Sequence, residues 1–180
     1  IQAIDLLGRK LSMAKGAFLN YIVGEIEKTI KEAKADSSLV KYAELVNKAK
    51  DHFVDTAKYL LGLMQGMKVF EAFLSATPFL ELAGDTILGW MHLWQLTIAQ
   101  KKLNDIFAAK NAKDDEAKRA LVNDDKDAAF YAGKVYSARF FISKVLPLVE
   151  SKMKSIKDED YSALEIEDLS FGEIIAQAKA

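Results

Sequence analysis

The stretch ILGWMHLWQLTIA (residues 87–99) is the most apolar run of the chain and decides its architecture. The run is well short of the ~20 apolar residues that a membrane-spanning helix needs, and His92 and Gln95 interrupt it. Because apolar side chains fall on nearly every helical face here, we predict a buried central helix that other helices surround. The full stripe of this helix comprises Leu82, Thr86, Gly89, Leu93, Leu96, Gln100, Leu103 and Phe107.

Three further apolar stripes with steps of three and four residues predict the surrounding helices. They comprise Ile4, Leu7, Leu11, Ala14, Phe18, Ile22, Ile26 and Ile30, then Tyr42, Val46, Ala49, Phe53, Ala57, Leu60 and Met64, and finally Tyr131, Val135, Ala138, Ile142, Val145 and Val149. Four long stripes joined by short or moderate connections predict an all-α fold, an antiparallel up-down bundle of about four long helices. We assign residues 1–155 to this bundle and residues 156–180 to a short C-terminal tail.

Glycine and proline mark the expected boundaries of the helices. Gly66 is expected to end or kink the second helix, with a further helical segment at residues 68–75. Thr77 and Pro78 predict the start of the central helix, since a capping residue is followed by proline at the first helical position. Pro147 is expected to kink the last long helix and to release the carbonyl of Ser143 from its usual partner.

Other segments are expected to be less regular or more tightly packed. Residues 111–125 are charge-dense and predict a solvated connection with at most a frayed helical turn. Residues 172–180 predict a short helical or disordered end. In the first helix, Gly8, Gly16 and Gly24 are interpreted as points of close packing rather than hinges.

Composition excludes several classes of function. The 180 residues are 51% hydrophobic with a net charge of -1, so nothing indicates a broad attraction to nucleic acid or to anionic lipid. Cysteine is absent, which excludes disulfides, thiolate metal sites and a cysteine nucleophile. No signal peptide or membrane span is predicted. Together these features favour a cytoplasmic location.

The two histidines do not predict a metal site. A di-iron bundle needs Glu-x-x-His pairs, but Ala49 and Gly89 precede His52 and His92 by three residues. His92 is interpreted as a core or helix-interface residue bonded to a neighbour, and His52 as half-exposed. Glu81 and Asp85 lie four apart and could act as an acid/base pair, although a structural role near the helix N-terminus is the commoner use of such carboxylates.

Aromatic residues fall in two groups, one at Trp90 and Trp94 and one between Phe130 and Phe141. Core packing is the default interpretation of this spacing, and the wall of an acyl or flavin pocket is the functional alternative. Arg139 interrupts the second group. Its planar guanidinium could anchor a buried carboxylate through a bidentate pair.

Three segments resemble one family. Residues 1–11 (IQAIDLLGRKL) are similar to the stretch that follows the Tyr-Glu-Gly-Thr-Asn-Gly motif of large bacterial acyl-CoA dehydrogenases. Residues 87–90 (ILGW) resemble their Gly-Gly-Trp element, with Leu88 in place of the first glycine. The segment from Phe130 to Pro147 resembles their lysine and arginine-phenylalanine-phenylalanine signature. The motif residues are Gln2, Asp5, Arg9, Gly89, Trp90, Lys134, Arg139, Phe140, Phe141 and Pro147.

The resemblance, to the subgroup that includes the 3-methylmercaptopropionyl-CoA dehydrogenases, implies an FAD enzyme that removes two hydrogens from an acyl-CoA. In that family a glutamate of the Tyr-Glu-Gly-Thr motif takes the α proton, hydride passes to the flavin, and electrons leave to an electron-transfer flavoprotein. This motif would precede Ile1, so the resemblance implies no catalytic residue and no FAD site within the chain. It implies a C-terminal accessory domain and a homo-oligomeric parent enzyme.

The first residues of the chain also predict that it is part of a longer protein. Ile1 is not methionine, and the helical stripe begins without a capping residue, so we expect the chain to be the C-terminal piece of a longer protein. Ile1, Ile4 and Leu7 are then expected to form an apolar strip that partly faces an upstream dehydrogenase core.

Two other functions remain open at this stage. The first is a stand-alone helical adaptor that binds a partner protein, which an open groove lined by Met64, Met67 and Phe70 would favour. The second is a metal-binding four-helix protein, which the missing Glu-x-x-His pairs disfavour.

Overall fold

The structure, a computed structural model, describes residues 1–172. Helices dominate this part of the chain, and no strand occurs within it. The predicted all-α bundle is therefore confirmed. The helices are α1 (Gln2–Asp5), α2 (Ala17–Ala33), α3 (Val40–Gln65), α4 (Val69–Leu74), α5 (Ala76–Ala109), α6 (Asp115–Asp124), α7 (Lys126–Phe140), α8 (Leu148–Ile156) and α9 (Ser162–Glu165).

Helix α5 is the centre of the bundle. It contacts α2, α3, α7 and α8, and its buried residues follow the predicted stripe from Leu82 through Leu93 to Leu103. Phe53 of α3 stacks on Phe79 of α5 with ring centroids 5.8 Å apart. The stripes of α3 and α7 also lie mainly toward this core, as their spacing predicts.

The expectation that helices surround α5 on every side is wrong on one face. Leu88, Trp94 and Ile98 stay exposed, each to about half of its surface. Neighbouring helices cover only part of a helix circumference, and none of the helices formed by residues 1–172 covers this face. An apolar strip is left open there.

The first long helix is interrupted. After α1 the chain forms a π-helical turn at Leu6–Lys10 and a 3₁₀ turn at Met13–Gly16 before α2 begins. Ala14 and Gly16 have φ values of 52° and 82°, a left-handed conformation that glycine adopts at little cost. The prediction of close packing is wrong for Gly16 and Gly24, because a Cβ at either position would meet nothing within 4 Å. Gly16 instead takes a left-handed conformation directly before α2. Gly8 does pack closely, since a Cβ there would lie 3.3 Å from the ring of Phe73.

The predicted apolar strip at the N-terminus is wrong for Leu7. The π-helical turn makes the backbone bond Leu11 N–H to Leu6 C=O, five residues back, and so widens the repeat. Ala3, Leu7 and Leu11, four apart, are buried in the core of this chain. Ile1 and Ile4 are exposed.

Residues 115–124 form a helix and not the predicted solvated connection. The Asp114 side chain caps it by accepting a hydrogen bond from the Ala117 N–H at 2.8 Å. No residue of α6 is buried, although Leu121 and Val122 rest against the core. Because the segment is rich in charged residues, its sequence indicated a loop where the structure has a surface helix.

The boundaries that glycine and proline predict are mostly confirmed. Gly66 follows α3, and α4 falls inside the expected segment. The central helix begins at Ala76, slightly earlier than Thr77 and Pro78 indicate. Around Pro147 the helix is broken as predicted: a π-helical turn spans Phe141–Val145, and α8 begins directly after the proline.

The tail contains α9 and a 3₁₀ turn at Asp168–Phe171, and its residues from 162 to 172 are exposed. Ile156, at the end of α8, is buried in the bundle. The expectation for the extreme end concerns residues 173–180, which lie outside the described part.

Candidate functional site

Gly89 lies where α5 touches the break in the last long helix. A Cβ atom at this position would meet the two methyl carbons of Leu146 at 2.7 and 2.8 Å. Leu146 is fully buried and directly precedes Pro147. A motif glycine of α5 and the motif proline are thus brought together by one close helix contact, which only a residue without a side chain permits.

Trp90 connects α5 to α2. Its indole N–H donates to the Thr29 hydroxyl at 2.8 Å, and that hydroxyl in turn donates to the Glu25 carbonyl at 3.2 Å. Thr29 is buried, while Trp90 is partly covered. The arrangement is a hydrogen-bonded helix contact, so Trp90 acts here in packing.

Among residues 1–172 no carboxylate pairs with Arg139, although the sequence suggests that this residue could anchor one. Its Nη2 donates to the side-chain oxygen of Gln100 on α5 at 2.8 Å, and the guanidinium carbon lies 5.6 Å from the centre of the Tyr42 ring. The Nε atom is buried and has no hydrogen-bond partner. The fold of the described residues supplies an amide and a ring, but no negative charge, to this cation.

His92 stacks on Phe141, with ring centroids 4.6 Å apart. Burial, and then the charge of Lys134, lowers the pKa of His92 below its ordinary value. Lys134 itself lies over the Phe130 ring at 5.4 Å. His92 is therefore an interface histidine as predicted, and a ring contact is what fixes its place.

The N-terminal motif residues lie on the surface. Arg9 donates to both carboxylate oxygens of Asp5, at 2.6 and 3.0 Å, and this bidentate pair lowers the pKa of Asp5. Gln2 is exposed, and so is Phe140 at the end of α7. Among the described residues, no hydrogen bond or ion pair joins Asp5 or Arg9 to Gly89 or Arg139. The ten motif residues therefore do not form a single site.

An apolar cavity of about 280 Å³ lies between the N-terminal segment and helices α2, α3 and α5. Leu6, Phe18, Phe53 and Ile87 are among its walls, with Lys10 as the charged lining residue. Its volume is at the lower limit of small-molecule sites. The aromatic group around Phe130 does not line it.

The open face of α5 forms a shallow apolar groove with α7. This α5–α7 groove holds about 340 Å³, and its lining is almost wholly apolar. It is lined by Met91, Trp94, Gln95, Ile98, Ala99, Phe130, Tyr131 and Lys134. Its shape and exposure are those of a contact surface rather than of an enclosed pocket.

The adaptor hypothesis rests on a groove that the fold does not build as expected. Met67 and Phe70 are exposed in and after the turn that ends α3, but Met64 is half-buried against the core. The three side chains therefore do not share one open face.

The carboxylates of Glu81 and Asp85 form ion pairs with one lysine, which is a structural role and not that of an acid/base pair. Lys152 of α8 donates to Asp85 at 2.9 Å and lies 3.2 Å from Glu81. The two carboxylates thus tie α8 to the start of α5. This geometry agrees with the structural interpretation of the pair.

The ion pairs of Lys50 and Glu150 were not found from sequence. Lys50, only 7% exposed, pairs with Glu27 at 3.0 Å and so joins α3 to α2. Glu150 pairs with Lys48 at 2.6 Å and Lys154 at 3.0 Å, which lowers its pKa to about 2. Lys50 directly follows Ala49 of the apolar stripe. A charged residue beside such a stripe is the sequence signal that could have indicated this buried ion pair.

No three histidine, aspartate or glutamate side chains in residues 1–172 are grouped as a metal site would require. None of the helices in that part of the chain combines the length and apolar content that crossing a bilayer demands.

Comparison with known proteins identifies relatives over almost the whole chain. The sequence profile of the family described as "Acetyl-CoA dehydrogenase C-terminal like" matches residues 22–167. The broad-specificity linear acyl-CoA dehydrogenase FadE5 of Mycobacterium tuberculosis is 27% identical over 95% of this chain and 26% of its own length. The butyryl-CoA dehydrogenase of Syntrophomonas wolfei is 28% identical over 95% of this chain and 25% of its own length.

The chain thus spans about a quarter of the length of the curated relatives it matches. The profile covers α3 to α9 completely and most of α2, so it includes the greater part of the helical bundle around α5 but not α1 and the turns that follow it. The resemblance read from the three sequence segments is confirmed. The chain belongs to the acetyl-CoA dehydrogenase C-terminal-like family, the C-terminal domain of acyl-CoA dehydrogenases.

Proposed function

We propose that this chain serves as the accessory domain of an FAD-dependent acyl-CoA dehydrogenase and contributes no catalytic residue to it. The parent enzyme would oxidise acyl-CoA to enoyl-CoA and pass electrons to an electron-transfer flavoprotein. The observation that carries the proposal is the family match over residues 22–167, together with relatives that are named acyl-CoA dehydrogenases.

The described residues do not fit FAD. The more enclosed apolar cavity of the described residues holds about 280 Å³, and Lys10 is the charged side chain among its lining residues that could donate to a pyrophosphate. Dinucleotide sites use a glycine-rich loop or a helix N-terminus for that group. In this cavity the walls come from Leu6–Leu11, from the interiors of α3 and α5, and from the first turns of α2, where the lining side chains Phe18, Leu19 and Ile22 are apolar. We therefore place FAD in the dehydrogenase core of the parent protein.

The acid/base chemistry is placed outside this chain for a related reason. Proton abstraction needs a carboxylate within hydrogen-bond reach of the substrate, in a site that excludes water. Carboxylates at contacts between helices, among them Glu81, Asp85 and Glu150, are engaged by lysines. Their charges are used to join helices.

We propose that the domain works through two apolar surfaces. Ile1 and Ile4, which lie outside the chain's own core, would contact the dehydrogenase core. The α5–α7 groove, with Trp94 and Ile98 exposed, would extend the contact between subunits or between domains. Burying such a surface stabilises an assembly by ~25 cal/mol per Å² of apolar area before the cost of association is subtracted.

A comparison of the 180-residue chain with the longer native protein tests the proposal. We expect visible flavin absorbance and acyl-CoA oxidation in the longer protein, and neither in the 180-residue chain. Turnover of an acyl thioester by the 180-residue chain would contradict the assignment. A native gene without a dehydrogenase region would do the same and would favour the adaptor hypothesis.

The interface role has its own test in the longer protein. Ile98→Glu places a charge in the groove, whereas Leu148→Glu places one at an equally exposed apolar position of α8 outside it. We expect only the first to lower the melting temperature or to dissociate the assembly, because only the first would bury an unpaired charge. Equal effects would show that the groove is not an interface.

A further inference from the structure

A second depression, the charged cleft, lies between α5, α6 and α7 and holds about 510 Å³. Its charged lining residues are Lys118 and Arg119 from α6, Arg139 from α7 and a single carboxylate, Asp115. Amide side chains add further donors. Three cations against one anion make the cleft positive, although the chain as a whole is almost neutral.

Arg139 is the residue that most requires a partner here. It is partly buried, it bonds to a neutral amide through one nitrogen, and its Nε atom is buried without a hydrogen-bond partner. Burial of a cation is costly unless an opposite charge or a full set of acceptors compensates it. Within the described chain neither Arg139 nor Lys118 nor Arg119 forms an ion pair.

The opposite wall of the cleft can adjust. Helix α6 carries Lys118 and Arg119 and has no buried residue, so these two side chains can turn while Leu121 and Val122 keep their contact with the core. The Lys118 ammonium now lies 5.9 Å from the centre of the Phe107 ring, a contact that leaves its hydrogen-bond donors available. Two long cationic side chains can therefore turn toward a ligand without unfolding the bundle.

We propose that the charged cleft binds a small anion that carries phosphate or carboxylate groups. Guanidinium groups recognise both through paired N–H donors, and the volume admits a molecule with several such groups. The site is separate from the α5–α7 groove and does not depend on the proposed enzymatic role of the parent protein. It would bind its ligand in the 180-residue chain alone.

Titration calorimetry on the 180-residue chain tests this, with inorganic pyrophosphate in one experiment and citrate in another. We expect saturable binding of at least one of them with one ligand per chain, and the stronger binder identifies the favoured anionic group. Lys118→Gln and Arg119→Gln should each weaken binding about tenfold, since each removes a charge-assisted hydrogen bond. Arg139→Gln should weaken it further.

Lys102→Gln is the matched control, because it removes one positive charge from an exposed position of α5 outside the cleft. Binding that is absent for both anions, or that falls equally in the control, would overturn the proposal. Should Arg139→Gln destabilise the fold, the two α6 variants decide the matter alone, since their side chains lie on a helix without buried residues.

Discussion

Replacing Gly89 with alanine tests the close contact between α5 and the segment at Pro147. The added Cβ would lie 2.7 and 2.8 Å from the methyl carbons of Leu146, well inside van der Waals contact. Leu146 is 1% exposed, and the fixed φ angle of Pro147 limits backbone movement beside it. Overpacking of this kind costs ~1–3 kcal/mol.

A gain in helix propensity opposes this cost. Alanine is better than glycine inside a helix by about 1 kcal/mol. The net effect of Gly89→Ala should therefore range from near zero to a loss of ~2 kcal/mol in the free energy of unfolding. Gly84 offers a matched control in the same helix, because nothing lies within 4 Å of a Cβ placed there. Gly84→Ala should stabilise the chain by about 1 kcal/mol.

Urea unfolding followed by far-ultraviolet circular dichroism measures both variants. The decisive number is the difference between them, ~1–3 kcal/mol in favour of Gly84→Ala. In a Leu146→Ala background, which itself costs ~2–5 kcal/mol, Gly89→Ala should become stabilising. If Gly89→Ala stabilises the wild-type chain as much as Gly84→Ala does, the argument from close packing is refuted.

Three other predictions follow from named contacts. Thr29→Val should lower the free energy of unfolding in urea by about 1 kcal/mol, because it leaves the indole N–H of Trp90 unpaired. Thr29→Ser keeps the hydroxyl and should retain most of that stability. Equal losses in the two variants would contradict the hydrogen bond. In an NMR titration His92 should show a pKa below its ordinary 6.5, and Lys134→Gln should raise that pKa. Because folding lowers the pKa of His92, the contribution of neutral His92 to the free energy of unfolding is complete above pH 6.5. It is lost as the pH falls through the pKa of the folded state. For Glu150, whose pKa falls from 4.5 to about 2, stability should be complete above pH 4.5 and decline as pH falls toward 2, and Glu150→Gln should flatten that decline; an unchanged acid profile would argue against the pairing.

Much of the bundle could be predicted because helix formation and burial both leave periodic marks in sequence. The stripes of α3, α5 and α7, the end of α3 at Gly66 and the break at Pro147 all follow from local rules. Helix α6 was missed because its apolar content is low and its cap, Asp114, lies among other acidic residues that hide the signal.

The register of the N-terminal segment could not be read in the same way. A stripe with steps of three and four assumes 3.6 residues per turn, but the π-helical turn at Leu6–Lys10 shifts the pattern. In the structure Ala3, and not Ile4, lies in line with Leu7 and Leu11 in the core, and Ile4 is left outside. Similarly, Arg139 was expected to meet a carboxylate, and its actual partners Gln100 and Tyr42 lie far away in sequence.

By itself the sequence determined the helical class, the central position of residues 87–99 and the resemblance to acyl-CoA dehydrogenases, because each of these depends on residue spacing along one segment. Tertiary structure alone decided which faces stay open and which charges stay unpaired. Three features depend on which helices come to lie side by side: the exposure of Trp94 and Ile98, the contact of Gly89 with Leu146 and, among the described residues, the lack of an acidic partner for Arg139. Such pairings join residues tens of positions apart, and no local pattern records them.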